Sequence, residues 1–265
     1  MIAGNGRFPV LALETARRAG DEVVVVALKE EALPEVEPLA ARCYWISLGQ
    51  LSRLIEILKQ EKITEVMMAG QVKHAKIFSS IVPDWKLVKL LAGLKQKNTD
   101  ALIGGVAKIL ADEGIRLADS TLLLKPLLAA AGVLTKRKPS PEEERDIAYG
   151  RKIANTLAGV DVGQSVAISD GACVAVEAME GTDAMLERAA SLVNGRALRL
   201  VKVSRRRHLL FDVPVVGPGT IETMRKTGAS ALAVDAGQTL LLDREAMLAR
   251  ANECEIAMVG CDPEP

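Results

Sequence analysis

Three carboxylates crowd one strand-to-helix turn of this chain: Glu177, Glu180 and Asp183, within Glu177-Ala178-Met179-Glu180-Gly181-Thr182-Asp183. Acids this close can hold a hydrated divalent cation, and such a cation can present water to a phosphorus. A plain turn accounts for part of the pattern equally well, because Thr182 can cap the helix that follows. Arg205-Arg206-Arg207-His208 is the densest basic run, with charge enough to neutralise a diphosphate or simply to face solvent. Asp212 is the more pointed candidate. It stands between Phe211 and Val213, where burial would demand a partner or raise its pKa.

Two glycine-bearing turns offer a different chemistry. Gly4-Asn5-Gly6-Arg7-Phe8-Pro9 begins like a dinucleotide-binding turn, but Pro9 stands where the third glycine should be, which counts against a nicotinamide enzyme. A backbone-lined phosphate or sugar site at a helix N-terminus fits these residues, and so does a tight turn without a ligand. Gly70-Gln71-Val72-Lys73-His74 follows another apolar strand. Lys97-Asn98-Thr99-Asp100 precedes an apolar-periodic helix over 101–110. Capping by Asn98 or Thr99 is its simpler explanation, and a polar cluster aimed at hydroxyls or phosphates the sharper one.

Composition removes several alternatives. Thirty-four Lys and Arg balance 34 Asp and Glu, and aromatics are 3% of 265 residues, so neither a basic footprint nor base-stacking platforms for nucleic acid are present. The two histidines, His74 and His208, and the scattered Cys43, Cys173, Cys254 and Cys261 lack zinc-ligand spacing. The cysteines read as small hydrophobes in a reducing compartment. Any metal would be a hard cation held by carboxylates, Mg2+ or Mn2+. The apolar stretches at 23–28 and 122–134 fall short of the ~20 residues of a membrane helix, and no basic stretch precedes an apolar one at the N-terminus. The expected compartment is the cytoplasm.

These residues need elements to hold them. In the first half, strands at 2–3, 23–28, 43–48 and 65–69 alternate with helices at 8–18 and 50–61, and glycines follow the strands at 4 and 70. That order predicts a Rossmann-like parallel sheet with helices on both faces, and ligands beyond the carboxyl ends of its strands. The stretch 85–97 reads as a basic amphipathic helix, either a solvated face over a core or a contact for an anionic membrane surface. Thr135-Lys136-Arg137-Lys138-Pro139-Ser140-Pro141 reads as a linker, and Ser140 with Glu143 as a capping box. The second half is strand-rich, with a hairpin turn at Asp170-Gly171. The expected fold class is α/β: an N-terminal domain over 1–134, a linker over 135–141, and a mixed-sheet C-terminal catalytic domain over 142–265.

In their order along nearly the whole chain, these segments resemble the UDP-2,3-diacylglucosamine diphosphatases of the LpxI family, from lipid A biosynthesis in Gram-negative bacteria. The resemblance rests on Ile2-Ala3-Gly4-Asn5-Gly6-Arg7-Phe8-Pro9, Met68-Ala69-Gly70-Gln71-Val72-Lys73 and Lys97-Asn98-Thr99-Asp100-Ala101-Leu102. It continues through Asp119-Ser120-Thr121, Asp146-Ile147-Ala148-Tyr149-Gly150, the Glu177–Asp183 turn and Phe211-Asp212-Val213-Pro214-Val215-Val216-Gly217. It implies two domains with a lipidated nucleotide sugar between them, and metal-dependent hydrolysis of the diphosphate to UMP and 2,3-diacylglucosamine 1-phosphate. On that basis Asp212, Asp183 and Glu180 are the expected catalytic residues. Glu177, Glu180, Asp183 and Asp212 would hold Mg2+ or Mn2+, and Gly4, Asn5, Gly6, Gln71, Lys73, Asn98, Thr99, Asp100 and Lys202 would bind substrate. Expected partners are that substrate and no nucleic acid, with room for a homodimer and for transient contact with the cytoplasmic side of the inner membrane. One segment departs from the pattern: residues 205–210 lack the Gln, Asp and final Arg that the family carries before Phe-Asp. That leaves a second reading open, a catalytically impaired or non-catalytic nucleotide-sugar or lipid-binding homologue.

Overall fold

The apolar runs of the first half pair side by side, as continuous β-branched strands covered on both faces do. In this computed structural model, which describes residues 1–70, 72, 82–94, 99–204 and 213–263, with the side chains of 99 and 100 outside the description, they form the first of two compact units, Met1–Leu124 and Lys125–Pro265. The first unit runs β1 (Ile2–Ala3), α1 (Phe8–Ala19), β2 (Val24–Leu28), β3 (Arg42–Ile46), α2 (Leu51–Gln60), β4 (Glu65–Val66), β5 (Met68–Ala69), α3 (Trp85–Gly93), α4 (Thr99–Asp112) and β6 (Arg116–Leu117). β3, β2, β1 and β5 make a parallel sheet in that order, so the chain reverses direction across the sheet at β1.

The single strand expected over 65–69 is one extended stretch serving two neighbours. Ile2 and Gly4 donate to the carbonyls of Met67 and Ala69, while Arg116 and Ala118 donate to those of Thr64 and Val66. Alternate carbonyls point to opposite sides of an extended chain, so β5 joins β1 and β4 pairs with β6. The amphipathic helix expected over 85–97 is described as α3, ending at Gly93. Leu87 is its buried residue, while Trp85 and Val88 are exposed.

The second unit runs β7 (Gly132–Val133), α5 (Pro141–Gly159), β8 (Ser165–Ser169), β9 (Ala172–Val176), α6 (Thr182–Leu192), β10 (Leu198–Lys202), β11 (Val215–Val216), α7 (Pro218–Thr227), β12 (Ala229–Asp235), β13 (Leu240–Leu241), α8 (Arg244–Glu253) and β14 (Ala257–Cys261). Six of these strands form a mixed sheet, β7-β14-β12-β10-β8-β9. Side chains alternate across it. Leu198 and Leu200 of β10 and Leu232 and Val234 of β12 pack with Met185, Ile221 and Met247 of α6, α7 and α8. Val201, Ala231 and Ala233 face Ile147 and Ala154 of α5 on the other side. The hairpin between β8 and β9 turns through Asp170 at φ 49 and Gly171 at φ 77, as a type I′ turn requires.

Residues 135–141, read from sequence as a linker, are bonded into the second unit. The Thr135 hydroxyl accepts from Met258 N–H at 2.8 Å, and Lys136 N–H donates to Asn252 Oδ1 at 2.7 Å. Arg137 donates to the Ser230 carbonyl at 2.5 Å and to both oxygens of Glu143, at 2.8 and 2.9 Å. The capping box forms as expected: Glu143 N–H donates to Ser140 Oγ at 3.3 Å, and Ser140 N–H to Glu143 Oε2 at 2.8 Å. Ser230 Oγ adds a further donor to Glu143 at 2.5 Å. Burial works against this charge. Arg137, Ser230 and the Ser140 N–H outweigh it and hold the Glu143 carboxyl at about 2.

A carboxylate whose folded pKa lies below its unfolded value stabilises fully above the unfolded pKa, and that stability is lost as pH falls through the folded one. Glu143 should therefore contribute about 3 kcal/mol near neutral pH, lost progressively below about pH 4.5. Urea midpoints measured across that range should fall steeply for the unaltered chain and less steeply for Glu143→Gln. Parallel curves would refute this account of the cap.

Candidate active site

β9 and β10 both run antiparallel to β8, and β10, β12 and β14 are mutually parallel, so four strands bring their carboxyl ends to one edge. In sheets of this kind that edge is where ligands bind. The polar residues of the second unit are concentrated there. Glu177 follows β9, Lys202 closes β10, Ser204 lies just beyond it, and Asp235 closes β12. Ser165, the first residue of the antiparallel β8, sits opposite Lys202. All five are buried.

Buried charges and polar groups on this scale require partners, and two linked sets supply them. In the first, Lys202 Nζ donates to Thr182 Oγ1 at 3.0 Å, and Thr182 donates to Glu177 Oε1 at 2.9 Å. Ser165 Oγ lies 3.2 Å from the same Thr182 oxygen. Glu177 Oε2 has no hydrogen-bond partner among the described residues. In the second, Asp235 Oδ1 accepts from Arg151 at 2.8 Å and Oδ2 from Ser204 N–H at 2.7 Å. Arg151 also donates to the Asp262 carbonyl beyond β14, at 2.7 Å. The Ser204 hydroxyl has no partner among the described residues.

The expectation that Thr182 caps its helix needs correction. Gly181 is the N-cap, at φ 87, and the Thr182 hydroxyl is spent on Glu177 instead. Nor do the three acids of this turn converge. Glu180 is exposed, bound to Arg188 at 2.6 Å and to Ala178 N–H at 3.0 Å, and those bonds, Arg188 first, lower its pKa. Asp183 is exposed in the first turn of α6, where negative charge suits the helix dipole. Among the described residues no three His, Cys, Asp or Glu side chains gather to hold a metal. Glu177, Glu180 and Asp183 thus do not gather on one point by themselves, and Asp212, the fourth expected ligand, lies outside the described residues.

A backbone approach fixes Glu177 from behind. A Cβ on Gly163 would lie 1.9 Å from the Glu177 carbonyl oxygen, and Glu177 N–H donates to the Ser165 carbonyl at 2.8 Å. In the first unit the carboxyl ends of the adjacent strands β1 and β5 carry Gly4-Asn5-Gly6 and Gly70. Gly4 N–H donates to Ala69 O at 2.8 Å, and a Cβ on Gly70, at φ 86, would meet the Asn5 carbonyl at 2.5 Å. Both expected turns thus meet at the point where the strand order reverses, a favoured ligand position. Gln71, Lys73, Asn98, Asp212 and the basic run 205–208 lie outside the described residues, as do the side chains of Thr99 and Asp100.

Arg151, Ser165, Ser204 and Asp235 were not singled out by sequence. An acid ending an apolar run, as Asp235 ends 231–235, was the available signal. Asp146 of the matched Asp146–Gly150 segment belongs elsewhere. It accepts from Gly171 N–H at 2.7 Å and pairs with Arg199 at 3.3 Å, holding the hairpin at the opposite edge.

A family model described as the LpxI N-terminal domain matches residues 1–127, and one described as the LpxI C-terminal domain matches residues 130–259. The UDP-2,3-diacylglucosamine pyrophosphatase LpxI of Caulobacter vibrioides is 30% identical over 275 positions, covering 100% of this chain and 97% of that protein. Among solved structures, the biotin carboxylase domain of 2-oxoglutarate carboxylase from Hydrogenobacter thermophilus is 9% identical, with a TM-score of 0.28 over 72% of this chain and 40% of that one. The biotin carboxylase subunit of pyruvate carboxylase is 12% identical, at 0.26 over 74% and 41%. Likenesses that weak bear on neither fold nor function.

Removing one partner of a buried ion pair strands the other's charge, at about 3–5 kcal/mol. Asp235→Ala should lose stability on that scale in chemical denaturation, because it also frees the N–H of Ser204. A loss under about 1 kcal/mol would show that Arg151 finds solvent or another acid, and that the edge is not held this way.

Proposed function

The chain belongs to the LpxI family, and from that premise we propose that it hydrolyses the diphosphate of UDP-2,3-diacylglucosamine. Water adds to one phosphorus, the phosphoric anhydride bond breaks, and UMP and 2,3-diacylglucosamine 1-phosphate leave. The full-length relation to a protein of that activity carries the proposal. The buried polar edge of the second unit supports it, since a diphosphate brings negative charge that Lys202 can meet.

In this reading Lys202 binds the diphosphate, and Asp212 orients the attacking water and takes its proton. Gly4, Asn5, Gly6 and Gly70 offer the first unit's backbone to the nucleotide or sugar. Magnesium or manganese is varied as an arm of the assay. Contact with an anionic membrane surface belongs to the same reading, because the substrate is acylated. Val82, Trp85 and Val88 are exposed at 90%, 77% and 40%, with Lys89 exposed beside them, and support that contact.

UMP release from UDP-2,3-diacylglucosamine, followed with and without magnesium or manganese, decides the matter. The unaltered chain should turn over, and Asp212→Ala should lower kcat at least about a hundredfold while still binding substrate. Tight binding without release by the unaltered chain, under every metal condition, would replace the hydrolase with a nucleotide-sugar-binding homologue. Trp85→Ser should leave turnover of a short-chain soluble analogue unchanged and weaken co-sedimentation with vesicles rich in phosphatidylglycerol. Equal co-sedimentation would remove the membrane contact at this face.

A further inference from the structure

A threonine in the first turn of a helix ordinarily spends its hydroxyl on backbone or water. At Thr182 the cap position is filled by Gly181, and the hydroxyl lies between a buried ammonium and a buried carboxylate. We propose that Glu177 and Thr182 form a directed positioning relay for Lys202, a role that rests on the diphosphatase reading for its substrate but on geometry for its existence.

The direction of each bond follows from what each group can do. Ammonium only donates, ionised carboxylate only accepts, and a hydroxyl donates once and accepts twice. The Thr182 proton therefore goes to Glu177 Oε1, and Thr182 Oγ1 accepts from Lys202 Nζ. With its proton committed, Thr182 takes its second incoming bond from Ser165 Oγ at 3.2 Å. The bonds to Glu177 and Lys202 fix that hydroxyl's rotor, and with it one of the three N–H directions of Lys202; the longer Ser165 contact only fills the remaining position.

The intervening hydroxyl has a chemical consequence. A carboxylate in direct contact would neutralise the ammonium and compete with an incoming phosphate for it. Acting through a hydroxyl, Glu177 aligns the ammonium without covering it. Glu177 is in turn held by its own backbone, through Ser165 and the close approach of Gly163. The relay thus runs from a rigid sheet edge to the charge that meets substrate, as precise placement of a charge requires. Glu177 Oε2 accepts no hydrogen bond from the described residues, so Thr182 is the described side chain bonded to this carboxylate.

The full chain, labelled with 15N-lysine, tests the relay without turnover. A water-protected, hydrogen-bonded Lys202 ammonium should give a resolved Nζ signal, identified by its loss in Lys202→Met. Thr182→Val should shift that signal and speed its exchange with water, while Thr182→Ser and Ser165→Ala should leave it in place. In the UMP-release assay Thr182→Val should lower kcat/KM about tenfold, with Thr182→Ser and Ser165→Ala within about threefold of the unaltered chain. An Nζ signal unmoved by Thr182→Val, or a Ser165→Ala change as large as that of Thr182→Val, would overturn the proposal. So would a lowered melting temperature with kcat/KM per folded molecule unchanged, which marks a structural role only. If the unaltered chain releases no UMP, the diphosphatase reading falls, and the Nζ signals still decide the relay.

Discussion

The buried pair of Arg151 and Asp235 is the constraint on which the second unit's edge depends. Taking two charges out of water costs several kcal/mol each, and their mutual attraction rarely repays it alone. Here the remaining valences go to backbone: Asp235 receives Ser204 N–H, and Arg151 reaches the Asp262 carbonyl. One pair therefore ties α5 to the exits of β10, β12 and β14. An apolar pair of equal volume could fill the space, but it could not tell three strands where to end.

Each unit meets the same requirement by different means. In the first, the approach of Gly70 to the Asn5 carbonyl leaves no room for a side chain at position 70, so that position offers backbone. In the second, the edge is built from charges that satisfy one another, and the backbone behind them is fixed by ordinary sheet bonds. Neutral N–H groups suit a sugar or a phosphate oxygen, while a buried ammonium suits concentrated negative charge.

Local signals were fully legible in the sequence. Ser140 with Glu143, Asp170-Gly171, and the glycines closing β1 and β5 each encode their geometry within a few residues. The fold class followed from the alternation of strand and helix. Partnerships across the sheet were not legible, because they depend on which strands become neighbours. Glu180 sits three residues from Glu177 yet belongs to Arg188, whereas Lys202 is 20 residues from Thr182 and belongs to it. Proximity in sequence suggested a cluster of acids. In the fold Glu177 is bonded to Thr182 and Glu180 to Arg188, and the linker reading of 135–141 met the same limit, since its bonds go to residues near 230 and 255.

Gly163 carries a genetic consequence. Its glycine is demanded by space, since the Glu177 carbonyl lies where a methyl group would be. A glycine codon is one base from several larger residues, and any of them would displace Glu177 while leaving the identity of every polar residue of the edge unchanged. Two alleles could then agree at each residue a site inventory would check and still differ in competence. Vulnerability at this edge is written partly in a position that contributes no side chain at all.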